Sequence, residues 1–168
     1  AATAGTLVYP ETHFDMVRIG IGIYGIWPAE ETRAHLSKKL PLKPVLSWHS
    51  VISEIKEMPK SARIGYDLTE KVKRKTVVGI VPIGYWHGFP RALSGKGYVL
   101  VRGKRAKVLG RVSMDMISVD LTDIAKVKVG DTTTLIGKDG NEELSAEEIA
   151  KSMNASPYEL VPRLNPLI

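Results

Sequence analysis

The sequence predicts a mainly β fold, an antiparallel barrel or sandwich, over most of this 168-residue chain. Short stretches rich in β-branched and aliphatic residues follow one another closely. They cover residues 46–57, 76–83, 97–101, 107–111, 117–121 and 132–136. Turn-forming residues separate several of them, among them Gly103, Gly110 and the Asp139-Gly140 pair. Short strands at close spacing with such turns are typical of antiparallel barrels and sandwiches.

Three other segments complete the prediction. Residues 15–27 combine β-branched residues with glycine and favour a buried strand that bends toward a ligand. Residues 29–39 favour a short helix, and 145–153 favour a second one with Ser145 as its N-cap. The first 38 residues do not fit the antiparallel pattern and suggest the last strand and helix of a β/α structure. We therefore expect two parts, residues 1–38 and 39–168.

Composition narrows the class of protein. The net charge of +6 is dispersed, apart from a basic cluster at 71–75, which favours a solvated turn over a nucleic-acid patch. The chain has no cysteine, which excludes disulfides and thiolate metal sites and suits a reducing cytoplasm. No apolar run approaches the roughly 18 residues of a membrane span, and residues 1–5 lack signal-peptide features. The four scattered histidines do not suggest a metal site. We expect a cytoplasmic protein without a membrane, nucleic-acid or metal partner.

Five short blocks carry more specific information than the composition. They are Met-Val-Arg-Ile-Gly-Ile at 16–21 with Tyr24-Gly25, the segment 63–69 with Ile-Gly-Tyr at 64–66, Val-Pro-Ile-Gly-Tyr at 81–85 with Gly88, Gly-Arg-Val-Ser-Met-Asp at 110–115, and Tyr-Glu-Leu at 158–160. In this order, along nearly the whole chain, they resemble the blocks of alanine racemases, fold-type III enzymes that use pyridoxal 5'-phosphate (PLP). The resemblance implies an antiparallel C-terminal β-domain, preceded over residues 1–38 by the incomplete end of a PLP-binding (β/α)8 barrel.

The resemblance implies a cofactor role for five residues. Arg18 would face the pyridine nitrogen of PLP, and the phosphate would be bound by Thr3, Gly20, Ile21 and Tyr158. A guanidinium has no acceptor and stays charged, so it would leave that nitrogen unprotonated and weaken the electron sink of the ring. That should suppress side reactions and leave proton exchange at Cα. Without the motif, Arg18 would be a strand-end arginine, Gly20 a packing glycine and Tyr158 a helix-face aromatic.

By the same resemblance, Tyr66 is the catalytic acid/base for the L-face of the substrate. The PLP-bearing lysine, which would serve the D-face, is not in this sequence. A phenol ordinarily titrates near pH 10, so nearby positive charge would be needed for it to act as a base. Asp67 stands where the family has glycine. Its carboxylate would raise the tyrosine pKa if it pointed inward, and we expect it to point to solvent. Without the motif, Tyr66 would be a turn tyrosine.

The remaining blocks imply contacts with the substrate and its entrance. Met114 and Asp115 form a turn whose backbone N–H at Met114 would contact the substrate carboxylate. Three further residues would line the entrance: Tyr85, Arg91 and Arg111. Trp86-His87 replaces a more usual small-acidic pair after Gly84-Tyr85. His87 as a catalytic base is the less favoured interpretation.

Together these motifs imply part of a cytoplasmic bacterial enzyme that interconverts L- and D-alanine for peptidoglycan synthesis. Its active sites would form in a homodimer, with Arg18 and Tyr158 serving one site and Tyr66 and Met114 its twin. Without the missing N-terminal barrel and its lysine, we expect the chain alone to be inactive. Two alternatives stay open: a related serine racemase domain, which the pocket would decide, and a non-catalytic dimerisation module.

Overall fold

The computed structural model describes residues 1–165. Its internal contacts divide the chain into two compact units, Ala1–Leu46 and Ser47–Ile168. None of the helices within the described residues is long and apolar enough to cross a membrane. The two units are described separately below.

The first unit is built from short helices. They are α1 (Thr3–Val8), a 3₁₀ helix (Pro10–Thr12), a second 3₁₀ helix (Ile21–Tyr24) and α2 (Glu30–Leu36). The helix predicted at 29–39 is confirmed by α2, which has Glu30 and Glu31 in its first turn and basic residues in its last. This distribution of charge suits the helix dipole.

The strand predicted over residues 15–27 is wrong. Only Arg18 pairs there, through one isolated parallel bridge to Ala2, and the chain then turns into the 3₁₀ helix. Gly25 ends that helix in the left-handed region, with φ 72°. The glycines that suggested a bent strand instead permit a tight turn, because glycine enters this region without a steric penalty.

The second unit is an antiparallel β structure with ten strands in chain order among the described residues. They are β1 (Trp48–Val51), β2 (Glu54–Met58), β3 (Arg63–Ile64), β4 (Glu70–Lys71), β5 (Thr76–Val81), β6 (Tyr98–Val101), β7 (Lys104–Leu109), β8 (Ile117–Asp120), β9 (Thr132–Asp139) and β10 (Glu142–Leu144). The main sheet runs β1-β9-β6-β7-β8-β5-β2, with β10 beside β9, while β3 and β4 pair separately. The predicted mainly antiparallel β fold is confirmed.

The two ends of the main sheet meet at the connection between β1 and β2. Ile52 donates its backbone N–H to Asp131 beside β9 at 2.9 Å, and Ser53 donates to Ile80 of β5 at 2.8 Å. Consecutive residues therefore join opposite edges of the sheet, which curls as in a barrel. Ile52 is fully buried there, together with core residues such as Val99, Val119 and Leu135.

Two helices follow the sheet, α3 (Ala146–Ser152) and α4 (Pro157–Leu160). The predicted N-cap of α3 is confirmed, because the Ser145 hydroxyl accepts from the Glu148 N–H at 3.1 Å. Arg105 on β7 contacts Glu148 on α3 and donates to Glu142 on β10 at 2.9 Å. Hydrogen bonds to Glu148 and Glu142 raise the pKa of Arg105, so the guanidinium stays charged in its contact with α3.

The basic cluster at 71–75 forms the expected solvated turn, with exposed lysines and an arginine around the buried Val72. Arg74 donates to both carboxylate oxygens of Asp123. That hydrogen bond lowers the pKa of the Asp123 carboxyl. Both groups are exposed, so the pair contributes little to stability.

Candidate active site

Tyr66 lies on a tight turn that follows β3. Gly65 has φ 78°, and two non-glycine residues after the tyrosine, Asp67 and Leu68, also adopt positive φ values of 59° and 52°. The Tyr66 side chain is 68% exposed. The turn therefore presents the phenol away from the core of its own unit.

Three polar contacts fix the shape of this turn. Leu68 donates its N–H to the Gly65 carbonyl at 3.1 Å. Arg63 donates from Nη1 to the Leu68 carbonyl at 2.8 Å. On the other side, Arg111 Nη1 lies 2.7 Å from Asp67 Oδ2. The Asp67 side chain is 66% exposed, in agreement with the expected direction, and it forms an ion pair that the sequence did not indicate.

Two glycines bring the Tyr66 turn against the Gly110-Arg111 segment. A Cβ on Gly65 would lie 3.0 Å from the Arg111 nitrogen, and one on Gly110 would lie 2.8 Å from the Ile64 carbonyl oxygen. Both residues also have φ values near 70–80°. Glycine is thus required at both positions, by the close backbone approach and by the dihedral angle.

Met114 and Asp115 occupy the tip of a turn closed by one serine. The Ser113 hydroxyl donates to the Met116 carbonyl at 2.6 Å and accepts from the Met116 N–H at 3.1 Å. The serine is buried, whereas Met114 and Asp115 are exposed. A small hydroxyl side chain therefore fixes the turn and leaves its tip available for contacts.

The Tyr85 loop is bonded directly to this turn. Tyr85 donates its N–H to the Ser113 carbonyl at 3.0 Å, and Trp86 donates to the Met114 carbonyl at 3.1 Å. His87 Nδ1 accepts from the Gly84 N–H at 3.0 Å, and the Trp86 ring meets the imidazole edge-on. The imidazole thus has a structural task in shaping the loop.

Arg91 begins a 3₁₀ helix (Arg91–Leu93) on the next stretch of chain. The Ser94 hydroxyl donates to the Arg91 carbonyl at 2.6 Å and accepts from the Val112 N–H at 3.0 Å. Tyr85 and Arg91 line one side of a groove of about 670 Å³, whose other side comes from residues 153–163. That side includes Glu159 and Arg163, whose charged groups lie 3.7 Å apart. Glu159 belongs to the Tyr-Glu-Leu block, whereas no sequence motif pointed to Arg163.

Tyr158 stands on α4 and is half exposed. The Ser156 hydroxyl accepts the Tyr158 N–H at 3.3 Å, and Glu159 reaches back to the Ser156 N–H at 3.3 Å. This capping box fixes the first turn of the short helix. The role of Tyr158 at a phosphate stays a prediction.

The first unit brings together the other candidate cofactor residues. The Thr3 hydroxyl is buried at the start of α1 and accepts the Gly20 N–H at 3.1 Å. Ile21 begins the 3₁₀ helix directly after Gly20. Arg18 donates its backbone N–H to the Ala1 carbonyl at 2.7 Å. The Thr3 hydroxyl, the Gly20 N–H that donates to it and the Arg18 backbone thus lie close together in this unit.

The structure thus forms two groups of predicted site residues. Thr3, Arg18, Gly20 and Ile21 are neighbours in the first unit. In the second unit, residues 110–116 connect the turns that carry Tyr66, Tyr85, Arg91, Arg111, Met114 and Asp115. Within residues 1–165, no group of three or more histidine, aspartate or glutamate side chains could hold a metal ion.

Comparison with known proteins gives a consistent result. A family model described as "Alanine racemase, C-terminal domain" matches residues 45–168. The alanine racemase of Leptospira interrogans (serovar Lai) is 42% identical in an alignment of 168 positions, and the match covers 98% of this chain and 43% of the relative. That of Halothermothrix orenii is 41% identical over 159 residues, 95% of this chain and 41% of the relative.

Solved structures agree in fold. The alanine racemase of Bacillus anthracis with bound L-Ala-P has a TM-score of 0.91 at 38% identity, covering 98% of this chain and 42% of that one. The enzyme of Bartonella henselae with covalently bound pyridoxal phosphate has a TM-score of 0.85 at 31% identity, covering 98% and 44%.

The fold and these comparisons place the chain in the class of C-terminal β-domains of amino-acid racemases. Within that class, the chain belongs to the alanine racemase family and matches the C-terminal part of its members. It spans less than half the length of the relatives described above.

Proposed function

We propose that this chain is the C-terminal part of a PLP-dependent enzyme that interconverts L- and D-alanine. In this proposal residues 1–38 complete a cofactor barrel, and residues 39–168 form the β-domain. The enzyme would act as a cytoplasmic homodimer that supplies D-alanine for peptidoglycan. The observation that carries the proposal is the exposed Tyr66 on a turn fixed at three points, packed on the Gly110-Arg111 segment that leads into the Met114 turn.

For the phosphate group of PLP the proposal relies on the Thr3 hydroxyl, because the Gly20 N–H that the resemblance assigned to the phosphate already donates to Thr3 in this chain. The Thr3 oxygen accepts from Gly20, so its own O–H proton is free to donate to a phosphate. Among the described residues, no heavy atom outside Gly20 and its two chain neighbours lies within 4 Å of the position that a Cβ on Gly20 would occupy, so there is room beside the backbone. Arg18 would donate to an unprotonated pyridine nitrogen, because a guanidinium offers donors and no acceptor.

PLP, when bound, supplies an electron sink that acidifies the Cα–H bond of the amino acid. On the L-face of the substrate, the Tyr66 oxygen would take the Cα proton or return one. The backbone N–H of Met114 would hold the substrate carboxylate. Because the Tyr66 phenol and the Met114 turn are exposed in this chain, they are available to complete the site of a second subunit.

The test uses the complete enzyme, with its barrel and cofactor lysine, in the variant Tyr66→Phe. Removal of the phenol should lower racemisation by roughly 10²–10⁴-fold, the usual contribution of a positioned acid/base. In D₂O, the variant should still exchange the Cα proton of D-alanine through the lysine, while exchange of L-alanine is lost. Bound PLP should keep its visible absorbance.

A matched control is Tyr98→Phe, which removes the hydroxyl of an exposed tyrosine on β6 and should leave all three readings unchanged. Unimpaired exchange of L-alanine in Tyr66→Phe would refute the proposal. Relative rates with alanine and serine separate an alanine racemase from a serine racemase. If the wild-type protein racemises neither amino acid, a non-catalytic module is favoured.

A further inference from the structure

We propose that Asp67 is a positioning residue, and that its ion pair with Arg111 fixes the place of the Tyr66 phenol without leaving a lone charge beside it. The inference rests on the proposed function, since it concerns the residue that would move the proton. It also gives Arg111 a task beyond the substrate entrance.

The backbone around Asp67 needs external support. Two consecutive non-glycine residues, Asp67 and Leu68, hold φ values of 59° and 52°. This region is unfavourable for any residue with a Cβ, and aspartate tolerates it better than leucine does. Conformations of this kind persist only where the surroundings determine them at several points, and they concentrate at functional sites.

That support comes from an arginine on each side of the turn. Arg63 holds the Leu68 carbonyl at 2.8 Å, and Arg111 holds the Asp67 carboxylate at 2.7 Å. The backbone of Arg111 also packs under Gly65, where an added Cβ would lie 3.0 Å from its nitrogen. Arg111 therefore contacts the turn at two points. Its backbone packs against Gly65 before Tyr66, and its guanidinium pairs with Asp67 after Tyr66.

The charges of the pair bear on the phenol. A lone carboxylate beside a tyrosine disfavours the phenolate, and a lone guanidinium favours it. Paired at 2.7 Å, Asp67 and Arg111 largely cancel each other. Aspartate at position 67 thus adds a fixing point without leaving an uncompensated negative charge next to Tyr66.

The Asp67–Arg111 ion pair adds little to the stability of the fold. The Arg111 and Asp67 side chains are 41% and 66% exposed, and exposed ion pairs typically contribute little to the free energy of unfolding. A loss of activity without a loss of stability would therefore indicate positioning.

The experiment compares Asp67→Asn, Asp67→Gly, Arg111→Gln and the double variant Asp67→Asn/Arg111→Gln in the complete PLP-loaded enzyme. Asparagine and glycine both tolerate the positive φ, so the two Asp67 variants change the charge and keep the turn possible. We expect each of the two Asp67 variants to lower kcat roughly 10-fold, with KM for alanine within about twofold of wild type, because a small displacement of a reacting group lowers the rate of the chemical step. The melting temperature should not change.

The pH profile separates positioning from a merely structural role. The midpoint of the rise in kcat/KM with pH should fall in Asp67→Asn, which leaves the guanidinium uncompensated. It should rise in Arg111→Gln, which leaves the carboxylate uncompensated, and return close to wild type in the double variant. The kcat losses should not multiply in the double variant, because both single changes break the same contact.

Asp123→Asn is the matched control, since it breaks another exposed aspartate–arginine pair and should leave kcat and the pH midpoint unchanged. Wild-type kcat and an unmoved midpoint in Asp67→Gly would overturn the inference. If Asp67→Gly behaves like the wild type while Tyr66→Phe impairs racemisation, only the role of Asp67 is rejected and the proposed function stands. If Tyr66→Phe is fully active, the proposed function fails first.

Discussion

Trp86 donates its backbone N–H to the carbonyl oxygen of Met114 at 3.1 Å. With the bond from Tyr85 to Ser113, this contact joins the Tyr85 loop to the Met114 turn through main-chain atoms alone. The positions of Tyr85 and Met114 therefore depend on how closely the two backbones approach, and less on the side chains that they carry.

Gly84 makes that approach possible, so Gly84→Ala should separate the two loops. A Cβ at this position would lie 2.2 Å from the Met114 oxygen and 2.3 Å from the Ser113 oxygen, and backbone atoms cannot move aside cheaply. The φ of Gly84 is −151°, so the effect is steric and does not arise from dihedral strain. We expect a loss of about 1–3 kcal/mol in the free energy of unfolding of the complete enzyme, measured by denaturant titration, and a rise in KM for alanine.

Gly130→Ala provides the comparison for Gly84→Ala. Among the described residues no atom lies within 4 Å of its added Cβ, but its φ of 92° makes alanine strained. It should cost stability of the order of 1 kcal/mol and leave KM unchanged. A normal KM in Gly84→Ala would show that the joined loops are not needed for substrate binding.

The sequence predicted the parts of this fold that depend on local pattern. Most of the short strands, the Ser145 cap and the turn glycines follow from residue types that favour one local geometry, and the structure has them close to the expected places. The segment 46–57 is the exception, because it is divided at residues 52–53 into β1 and β2, which pair with different strands. The boundaries of a strand differ from the prediction where a hairpin determines them. The strand predicted at 107–111 begins at Lys104, because β7 pairs with β6 through the tight turn at Arg102-Gly103.

Features that depend on a distant partner were not predictable in this way. Residues 15–27 have the composition of a strand, but a strand needs a neighbour, and Arg18 finds only Ala2. The turn glycines of the Tyr66 block were recognisable from the sequence. The contacts of Arg63 with Leu68 and of Arg111 with Asp67 were not, because they depend on side-chain directions and on the register of two remote turns.

Thr3→Val tests the phosphate-binding proposal from the side of this chain. Valine has nearly the same shape but no hydroxyl, so the Gly20 N–H loses its acceptor and a phosphate would lose a donor. Hydrogen bonds to charged groups contribute about 1.5–3 kcal/mol, which corresponds to a PLP affinity roughly 10–150-fold weaker. Thr3→Ser keeps the hydroxyl and should retain most of the affinity. Titration of the cofactor-free complete enzyme with PLP measures both, and equal affinities in the two variants would remove Thr3 from the site.

Thr133→Val should stabilise the β-domain, because the Thr133 hydroxyl is buried in the core without forming a hydrogen bond to the described residues. The residue is fully buried in β9, and among the described residues its Oγ1 has no hydrogen-bond partner. An unsatisfied buried polar group costs about 1–3 kcal/mol, and valine fills nearly the same volume without it. We expect denaturation of the complete enzyme to shift to higher denaturant concentration by an amount that corresponds to about 1 kcal/mol or more.

Thr76→Val is the matched control: Thr76 is also buried, but its hydroxyl donates to the Arg74 carbonyl at 2.9 Å, so its removal should destabilise the domain. If both valine variants shift the transition in the same direction, the difference in hydrogen bonding does not control the stability of these two sites.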